Sequence, residues 1–314
     1  MSTPLVSVVV PTYGRPEDVT DAVATVRGQT YSPVELVVVD DCSPDPIEPR
    51  ILDIDLSGFE CVRCLRHEKN RGAAVARSTG IEAANGEFVA FLDDDDRWIA
   101  SKLGRQVEAL QGRSPDAGVA YSGMRIVDGA GETLRIQSPA KSGDLTKTLL
   151  CRNVVGSYST VMVRMAAIED TGLPDERFPS WQDMEWYVRL SRNWEFVAVP
   201  DPLAIIYQAD DHEQISDDFE AVKTESYELF VEKFRPIAAE YGRLFERKMM
   251  AWAAFRVGGY NALRTGNFHD ARRFLLRAVA RYPFEPTFWV YLAVALGGES
   301  TYKTAKRLKR LVAD

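Results

Sequence analysis

The chain has 314 residues, a formal net charge of −8 and a hydrophobic content of 46%, which is enough to bury the core of one large domain or of two smaller ones. Four cysteines are too few for a disulfide framework, and the sequence opens at Met1 without a charged and then apolar leader, so a cytoplasmic location is expected. The charge is uneven, because residues 240–314 carry fourteen basic and six acidic side chains, which leaves about −16 for the rest.

Short apolar runs alternate with helical patterns through the first hundred residues. Two segments have the helical pattern: Pro16 to Gln29, which opens with Pro-Glu-Asp as a helix start should, and Gly72 to Ala84. Four β-rich runs have the length of strands: Val6 to Val10, Leu36 to Val39, Val62 to Leu65 and Phe88 to Leu92. This alternation predicts βαβ units and an α/β fold built on a mostly parallel, doubly wound sheet.

Polar residues follow three of the four predicted strands. The first strand is followed by Pro11 to Arg15, the second by Asp40-Asp41, and the fourth by the acidic run Asp93 to Asp96. In a parallel sheet, ligands bind beyond the carboxyl ends of the strands, so the three clusters are expected to form one site. Independent polar surface loops are the alternative interpretation.

The acidic run indicates a cation site. Adjacent carboxylates repel one another, and a folded chain keeps them ionised together most easily when a divalent ion with a bound phosphate neutralises them. Oxygen ligands alone favour magnesium or manganese over zinc, and a solvated acidic loop is the alternative. No Gly-x-Gly-x-x-Gly follows the first strand and no Walker motif occurs, which argues against a dinucleotide-dependent oxidoreductase and a P-loop NTPase.

The pattern becomes mixed after the acidic run. A helix is predicted over Trp98 to Gln111, and nearly everything from Phe219 onward has a helical pattern. Between them the sequence predicts a hairpin of Val119 to Val127 and Glu132 to Gln137, a strand over Thr160 to Val163, a helix over Trp181 to Arg192, and strands over Phe196 to Val199 and Leu203 to Tyr207. We therefore expect one domain over residues 1–216 and a helical region over residues 217–314.

Six short motifs occur in order between residues 5 and 216. They are Val8-Val9-Val10-Pro11-Thr12-Tyr13, Val39-Asp40-Asp41-Cys42-Ser43, Asn70-Arg71-Gly72 with Arg77, Phe91-Leu92-Asp93-Asp94-Asp95-Asp96, Gln182-Asp183-Met184-Glu185 with Arg189, and Tyr207 with His212 and Ser216. In this order they resemble the family 2 glycosyltransferases, which are inverting enzymes of the GT-A fold that use nucleotide sugars. The joint order carries the resemblance, because each motif alone is weak.

The resemblance implies a binding site for a nucleotide sugar. Tyr13 would stack on the base, Asp40 would accept a hydrogen bond from a base N–H, and Arg77 would reach the ribose or the diphosphate. Asp41 could equally be a cap or a turn residue. The residues assigned to this role are Pro11, Thr12, Tyr13, Arg15, Asp40, Asp41, Asn70, Arg71, Arg77, Asp93 and Asp94.

The same resemblance implies a metal site and a catalytic base. Asp95 and Asp93 would bind the ion together with His212, whereas Asp96 is interpreted as the cap of the helix predicted at Trp98. Asp183 would take the proton from an acceptor hydroxyl. Trp181, Gln182 and Glu185 are assigned to the acceptor side or to support of the base. The chain departs from the commoner family pattern at Ser78, Gln182 and Gln208.

Together these implications describe a metal-dependent, inverting glycosyltransferase that moves a sugar from a nucleoside diphosphate sugar to a hydroxyl of a glycan or a lipid-linked saccharide. Mn²⁺ or Mg²⁺ would be the ion, and a uridine diphosphate sugar is favoured over a guanosine diphosphate sugar as donor. Two alternatives remain open. One is a non-catalytic interaction protein that keeps the nucleotide fold, and the other is a sugar nucleotidyltransferase, which usually needs a glycine-rich phosphate loop that this sequence lacks.

The C-terminal region combines a repeat-like pattern with basic charge. Gly266 to Pro283 follows the spacing of one tetratricopeptide-like hairpin, whose apolar face must pack on another surface. Thr287 to Leu296 is apolar but far shorter than the roughly twenty residues of a membrane span. Aromatic residues beside the basic end suit a peripheral site on the cytoplasmic face of an anionic membrane, and a packed helix with a solvated face is the alternative. The acidic body argues against a nucleic-acid partner.

Overall fold

The structure is a computed structural model that describes residues 3–208 and 218–313, with side chains described as far as residue 306. Internal packing divides the chain into two compact units. Unit 1 comprises Met1–Thr146, Val154–Glu176 and Gln182–Asp211, and unit 2 comprises Lys147–Asn153, Arg177–Trp181 and His212–Asp314. The domain boundary predicted at residue 216 lies outside the described residues and stays a prediction.

Unit 1 is built on one nine-stranded sheet. Its strands are β1 (Val6–Thr12), β2 (Val34–Asp40), β3 (Cys61–Arg66), β4 (Phe88–Phe91), β5 (Arg97–Trp98), β6 (Ala117–Val127), β7 (Thr133–Gln137), β8 (Val161–Arg164) and β9 (Glu195–Tyr207). The strand order is β3-β2-β1-β4-β8-β6-β9-β5, and β7 pairs with β6. The first four strands are mutually parallel, whereas β8 runs antiparallel to both β4 and β6. The predicted mostly parallel α/β sheet with a mixed edge is therefore confirmed.

Residues 3–190 contain seven α-helices. They are α1 (Pro16–Arg27), α2 (Glu48–Leu52), α3 (Ala73–Ala83), α4 (Lys102–Gln111), α5 (Thr146–Cys151), α6 (Met165–Thr171) and α7 (Gln182–Leu190). β1, β2 and β4 are buried along their whole lengths, because a parallel sheet is covered on both faces. Gly80 of α3 leaves no room for a Cβ beside the side chain of Val9 on β1, so this helix packs closely on the sheet.

Three details of the predicted elements are wrong. The helix predicted from Trp98 begins instead at Lys102, and Trp98 belongs to the short strand β5 that pairs with β9. The two strands predicted at 196–199 and 203–207 form the single strand β9, which pairs with β6 along its length with register shifts near Pro200 and Pro202. The helix predicted from Trp181 begins one residue later, because Trp181 has a left-handed φ of 63°.

Unit 2 is helical, as predicted from residue 219 onward. Its helices in the C-terminal region are α8 (Phe219–Ala221), α9 (Tyr227–Glu240), α10 (Arg243–Phe255), α11 (Phe268–Arg281), α12 (Pro286–Leu296) and α13 (Gly298–Ala313). A π-helical segment over Arg256–Ala262 extends α10 toward a turn at Gly266, after which α11 packs back on it. In residues 3–208 and 218–313 no helix is both long and apolar enough to cross a bilayer.

Candidate active site

The ends of β1, β2 and β4 meet at one edge of the sheet. The hydroxyl of Thr12 donates to Oδ2 of Asp94 at 2.8 Å, and the backbone N–H of Asp41 donates to the carbonyl of Thr12 at 2.9 Å. Gly14, two residues after β1, donates its N–H to the hydroxyl of Ser43 at 2.9 Å. The three polar clusters that follow separate strands in the sequence are thus in direct contact in the structure.

The four aspartates of the acidic run point in two directions. The side chains of Asp93 and Asp95 are 23% and 45% exposed, whereas that of Asp94 is 8% exposed and Asp96 is buried. Burial raises the pKa of Asp94 to about 6, an effect that the guanidinium of Arg15 opposes. The run therefore presents two alternate carboxylates, Asp93 and Asp95, to the outside and keeps the other two for internal contacts.

Two arginines neutralise part of this negative charge. Nη1 of Arg15 lies 3.0 Å from Asp94 and 2.7 Å from Asp95. Nη2 of Arg77 lies 2.5 Å from Asp93, and the guanidinium of Arg77 stacks over the ring of Tyr158 at 4.1 Å from its centroid. Arg77 is only 7% exposed, so both its charge and its planar shape are fixed within the fold.

The exposed carboxylates suit a hard divalent ion that also binds phosphate. Among the described residues no group of three His, Cys, Asp or Glu side chains is arranged to enclose a metal. Magnesium-type sites in phosphate-transfer proteins need no such cage, because one or two carboxylates act together with substrate phosphates and water. Asp93 and Asp95 supply oxygen donors of this kind. His212, the third ligand predicted from the sequence, lies outside the described residues.

The aspartates at the end of β2 are engaged by the protein itself. Asp40 accepts hydrogen bonds from the N–H groups of Ser43 at 2.7 Å and Ile47 at 3.3 Å, and it pairs with Arg66. Asp41 accepts from the backbone N–H groups of Arg71 at 2.9 Å and Gly72 at 2.7 Å. The carboxylate of Asp41 thus holds the loop that leads into α3. The assignment of both residues to the nucleotide stays a prediction.

The remaining residues assigned to the nucleotide border this edge. Pro11 and Thr12 are buried at the end of β1, whereas Tyr13 is 50% exposed directly after it. The side-chain oxygen of Asn70 accepts from the N–H of Gly72 at 3.2 Å, and Arg71 is exposed beside it. The ring of Tyr13 is the accessible aromatic surface among them, in a position where a base could stack.

Asp183 is the second residue of α7, and the start of this helix is brought to the acidic run by Arg77. Nη1 of Arg77 makes a long contact of 3.4 Å with Oε1 of Gln182, while Nη2 of the same guanidinium contacts Asp93. Burial raises the pKa of Tyr187, and the carboxylates of Asp183 and Asp93 both add to that effect. The predicted base, Asp183, and Asp93 of the acidic run therefore both influence the same buried tyrosine.

Glu185 differs from Asp183 in burial, because Asp183 is half-buried and Glu185 is not accessible. It is fully buried and makes a two-pronged ion pair with Arg189, with contacts of 2.6 and 3.1 Å. It also accepts the N–H of Asp175 at 3.2 Å. Direct contact with an acceptor requires exposure, so only the supporting role predicted for Glu185 remains. Trp181, the other neighbour of the predicted base, is packed within unit 2 against the ring of Phe230.

Three residues at this edge were missed by the sequence interpretation. His67 contacts Asp41 through Nδ1 at 2.7 Å and Thr79 through Nε2 at 3.0 Å, which holds the turn beside Arg71. Ser159 contacts both ends of the acidic run, and Tyr158 lies against Arg77. The sequence predicted only a strand over Thr160 to Val163 in this segment, because hydroxyl groups before a strand carry no signal of a distant partner.

Comparison with known families decides the class of this protein. The family described as "Glycosyl transferase family 2" matches residues 7–172. The chain belongs to glycosyltransferase family 2. It is therefore a transferase enzyme, and the family predicted from the ordered motifs is confirmed.

Curated relatives agree with this assignment. The chain is 32% identical over 189 residues to TuaG of Bacillus subtilis, a glycosyltransferase named for teichuronic acid biosynthesis, covering 60% of this chain and 72% of TuaG. It is 31% identical over 188 residues to Escherichia coli WfgD, covering 60% and 69% of the two chains. WfgD is named as a UDP-Glc:α-D-GlcNAc-diphosphoundecaprenol β-1,3-glucosyltransferase.

Solved structures share the fold. S. aureus TarS 1-349 in complex with UDP-GlcNAc aligns with a TM-score of 0.63 at 20% identity, covering 98% of this chain and 91% of TarS. A Pyrobaculum calidifontis mannosyltransferase in complex with GDP-Man and Mn²⁺ aligns with a TM-score of 0.57 at 19% identity, covering 99% and 88%. The predicted GT-A fold with a C-terminal helical region is thus confirmed.

Proposed function

We propose that this enzyme is a metal-dependent, inverting glycosyltransferase whose catalytic base is Asp183. The observation that carries the proposal is the position of Arg77, which contacts both Asp93 of the acidic run and Gln182 at the start of α7. One guanidinium thereby connects the residues proposed to hold the leaving diphosphate with the helix that carries Asp183. An inverting transferase needs the group that holds the leaving diphosphate and the base that activates the acceptor on opposite sides of the reacting sugar.

The donor is proposed to be a nucleoside diphosphate sugar. The exposed ring of Tyr13 offers a stacking surface. Asp40 is 4% exposed and already bonded to Ser43, Ile47 and Arg66, so the hydrogen bond that it is proposed to accept from a base N–H requires it to exchange one of these partners. Arg15, which pairs with Asp95, and Arg71, whose backbone N–H donates to Asp41, are proposed to contact phosphate oxygens through their guanidinium groups. Because WfgD is named for UDP-Glc and TarS was solved with UDP-GlcNAc, we favour a uridine diphosphate sugar over a guanosine one.

Asp93 and Asp95 are the proposed ligands of Mn²⁺ or Mg²⁺, with His212 as a further ligand. When bound, the ion would stabilise the negative charge that develops on the departing diphosphate. Arg15 now pairs with Asp95 and would exchange that partner for a phosphate oxygen. Asp94 keeps its internal hydrogen bond from Thr12, which holds the run against β1.

The proposed reaction is a single displacement at the anomeric carbon. Asp183 takes the proton of the acceptor hydroxyl as its oxygen forms a bond to the anomeric carbon. The bond from that carbon to the diphosphate oxygen breaks at the same time, and the nucleoside diphosphate leaves with the electron pair. Attack from the face opposite the leaving group inverts the configuration, and no covalent enzyme intermediate is required.

The proposal is tested by measuring binding and product stereochemistry together. The chain is screened by thermal shift against UDP, GDP and their sugars with and without Mn²⁺, and we expect a stabilising shift for a uridine nucleotide that depends on the ion. NMR of the product anomeric proton then gives the configuration, which we expect to be opposite to that of the donor. A retained configuration would contradict the single displacement.

The same assay separates the two alternative functions. A sugar nucleotidyltransferase would release pyrophosphate, whereas the proposed enzyme releases a nucleoside diphosphate. A non-catalytic interaction protein would bind nucleotide without turnover. Family membership and the side chains of Asp93, Asp95 and Asp183 favour the transferase.

A lipid-linked saccharide is the acceptor class that we propose. WfgD is named for an acceptor that carries diphosphoundecaprenol, and unit 2 of this chain has a surface suited to membranes. Its exposed apolar residues include Phe284, which is 73% exposed, and Trp289, Val290 and Leu296 on α12, each more than half exposed. The basic excess of residues 240–314 complements an anionic lipid surface. We infer peripheral binding to the cytoplasmic face.

Replacing Phe284 and Trp289 together by serine is expected to weaken binding to vesicles containing phosphatidylglycerol at least about tenfold. The reason is that serine does not gain the favourable free energy that a large apolar side chain gains on transfer from water to the membrane interface. Cosedimentation measures the partition. The matched control is Ile136→Ser, which changes a residue that is 60% exposed on β7 of unit 1. Equal binding of the double variant and the wild type would exclude this surface as the membrane contact.

A further inference from the structure

Both ends of the acidic run are held by one buried hydroxyl group. Oγ of Ser159 accepts a hydrogen bond from the N–H of Asp93 at 3.0 Å and donates one to Oδ2 of Asp96 at 2.6 Å. Ser159 is fully buried, so water does not compete for either bond. The carbonyl of Ser159 in turn accepts the indole N–H of Trp98 at 2.8 Å. The acidic run and Trp98, two residues after it, are thus both bonded to Ser159.

Asp96 is not the helix cap that its residue type suggested. The N-cap of α4 is Ser101, and Asp96 lies one strand earlier with its carboxylate buried against Ser159. A buried carboxylate that accepts such a hydrogen bond is an anchor, because moving it would leave polar groups without partners. Asp96 therefore holds the run rather than facing an ion.

The turn that contains Ser159 acts on the run by a second route. Ser159 lies in a 3₁₀ turn, Tyr158–Thr160, which precedes β8. Tyr158 of this turn packs its ring against the guanidinium of Arg77, whose Nη2 contacts the carboxylate of Asp93. The turn therefore fixes the backbone of Asp93 through Ser159 and its side chain through Tyr158 and Arg77.

We propose that Ser159 is a positioning residue for the metal–nucleotide site, an inference that rests on the proposed function. Its hydroxyl closes the backbone turn in which the N–H of Asp96 donates to the carbonyl of Asp93 at 3.0 Å, and Asp95 lies within that turn. Without the hydroxyl, the N–H of Asp93 loses its acceptor and the carboxylate of Asp96 loses a donor. Asp93 and Asp95 then no longer keep the spacing that the ion requires.

The test compares Ser159→Ala with Thr160→Val. Thr160 is the next residue, is also fully buried, and its hydroxyl donates only to the carbonyls of Val155 and Ser157, away from the acidic run. Each substitution removes one buried hydroxyl from the same turn. Mn²⁺ affinity in the presence of UDP is measured by electron paramagnetic resonance, and unfolding is measured in urea. Ser159→Cys, which keeps the shape with a weak donor, replaces the alanine variant if that protein does not fold.

We expect Ser159→Ala to weaken Mn²⁺ binding about ten- to hundredfold, the usual effect of losing a group that orients metal ligands. Thr160→Val should lose stability to a similar degree but keep the wild-type Mn²⁺ affinity. Equal Mn²⁺ affinity in Ser159→Ala and the wild type, or equal losses in both variants, would overturn the positioning role. A wild type that binds no Mn²⁺ with UDP would contradict the proposed function itself and the inference with it.

Discussion

Asp183→Asn is expected to lower the turnover number about 10²- to 10⁴-fold, the range that a positioned general base contributes. The amide has nearly the shape of the carboxylate but cannot take the proton of the acceptor hydroxyl. Nucleotide affinity should stay within about twofold of the wild type, because the residues proposed to hold the diphosphate, Asp93 and Asp95, are unchanged. Initial rates at saturating donor and calorimetric titration of UDP with Mn²⁺ measure the two quantities.

The control for this variant is Asp170→Asn. Asp170 is an exposed aspartate on α6 of the same unit, where it accepts hydrogen bonds from Asn193 and Trp194 at 3.0 Å each. The substitution Asp170→Asn should reduce the stability of the fold slightly and leave the turnover number unchanged. Transfer at the wild-type rate in Asp183→Asn would remove Asp183 from the mechanism, and loss of nucleotide binding in that variant would show that its role is structural.

Asp95→Asn is expected to abolish the Mn²⁺-dependent part of nucleotide binding. Asp95 is the most exposed carboxylate of the run, so its loss removes the accessible charged oxygen that a hard ion prefers. We expect a loss of at least about tenfold in UDP affinity with Mn²⁺ and little change without it. Isothermal titration with and without the ion gives both values.

Folding should be almost unaffected by the same change. The pair of Asp95 with Arg15 is partly exposed and contributes about 0–1 kcal/mol, and removing one carboxylate also relieves repulsion from Asp93. Asp201→Asn is the matched control, because Asp201 is 42% exposed and pairs with one arginine at the same distance of 2.7 Å. If Asp95→Asn keeps the full response to Mn²⁺, or Asp201→Asn loses it, the ion is not bound by the acidic run.

The sequence predicted the parallel half of the sheet well for a physical reason. Strands buried on both faces appear as continuous apolar runs, and the helices between them begin with recognisable signals such as Pro16. The carboxyl ends of such strands share one edge, so the neighbourhood of Thr12, Asp41 and Asp94 followed from topology. No side-chain geometry was needed for that step.

Contacts between distant segments could not be predicted in this way. Asp96 looks like a helix cap in the sequence, because aspartate before a helical pattern usually is one. Its partner, Ser159, is 63 residues away, and nothing in the local pattern of either residue indicates the other. The contact of Arg77 with Gln182 spans 105 residues and depends in the same way on how the sheet closes.

The division of the chain into two units could not be predicted from local sequence patterns either. Arg177–Trp181 packs with the C-terminal helices, where the ring of Trp181 contacts Phe230 and the guanidinium of Arg256 stacks over it at 4.8 Å. Arg256 also donates to the carbonyl of Cys151 at 2.9 Å. A bulky residue with positive φ is unusual and is held by surrounding packing, which composition and periodicity do not report.

The most direct test of the account is a crystal structure of the chain with Mn²⁺ and UDP, with anomalous scattering used to locate the ion. We predict an anomalous peak about 2.1 Å from a carboxylate oxygen of Asp95, bridged to the diphosphate. Asp183 should lie across the sugar pocket from that diphosphate, open to an incoming hydroxyl. An ion bound away from Asp93 and Asp95, or an Asp183 directed away from the diphosphate, would contradict the proposed mechanism.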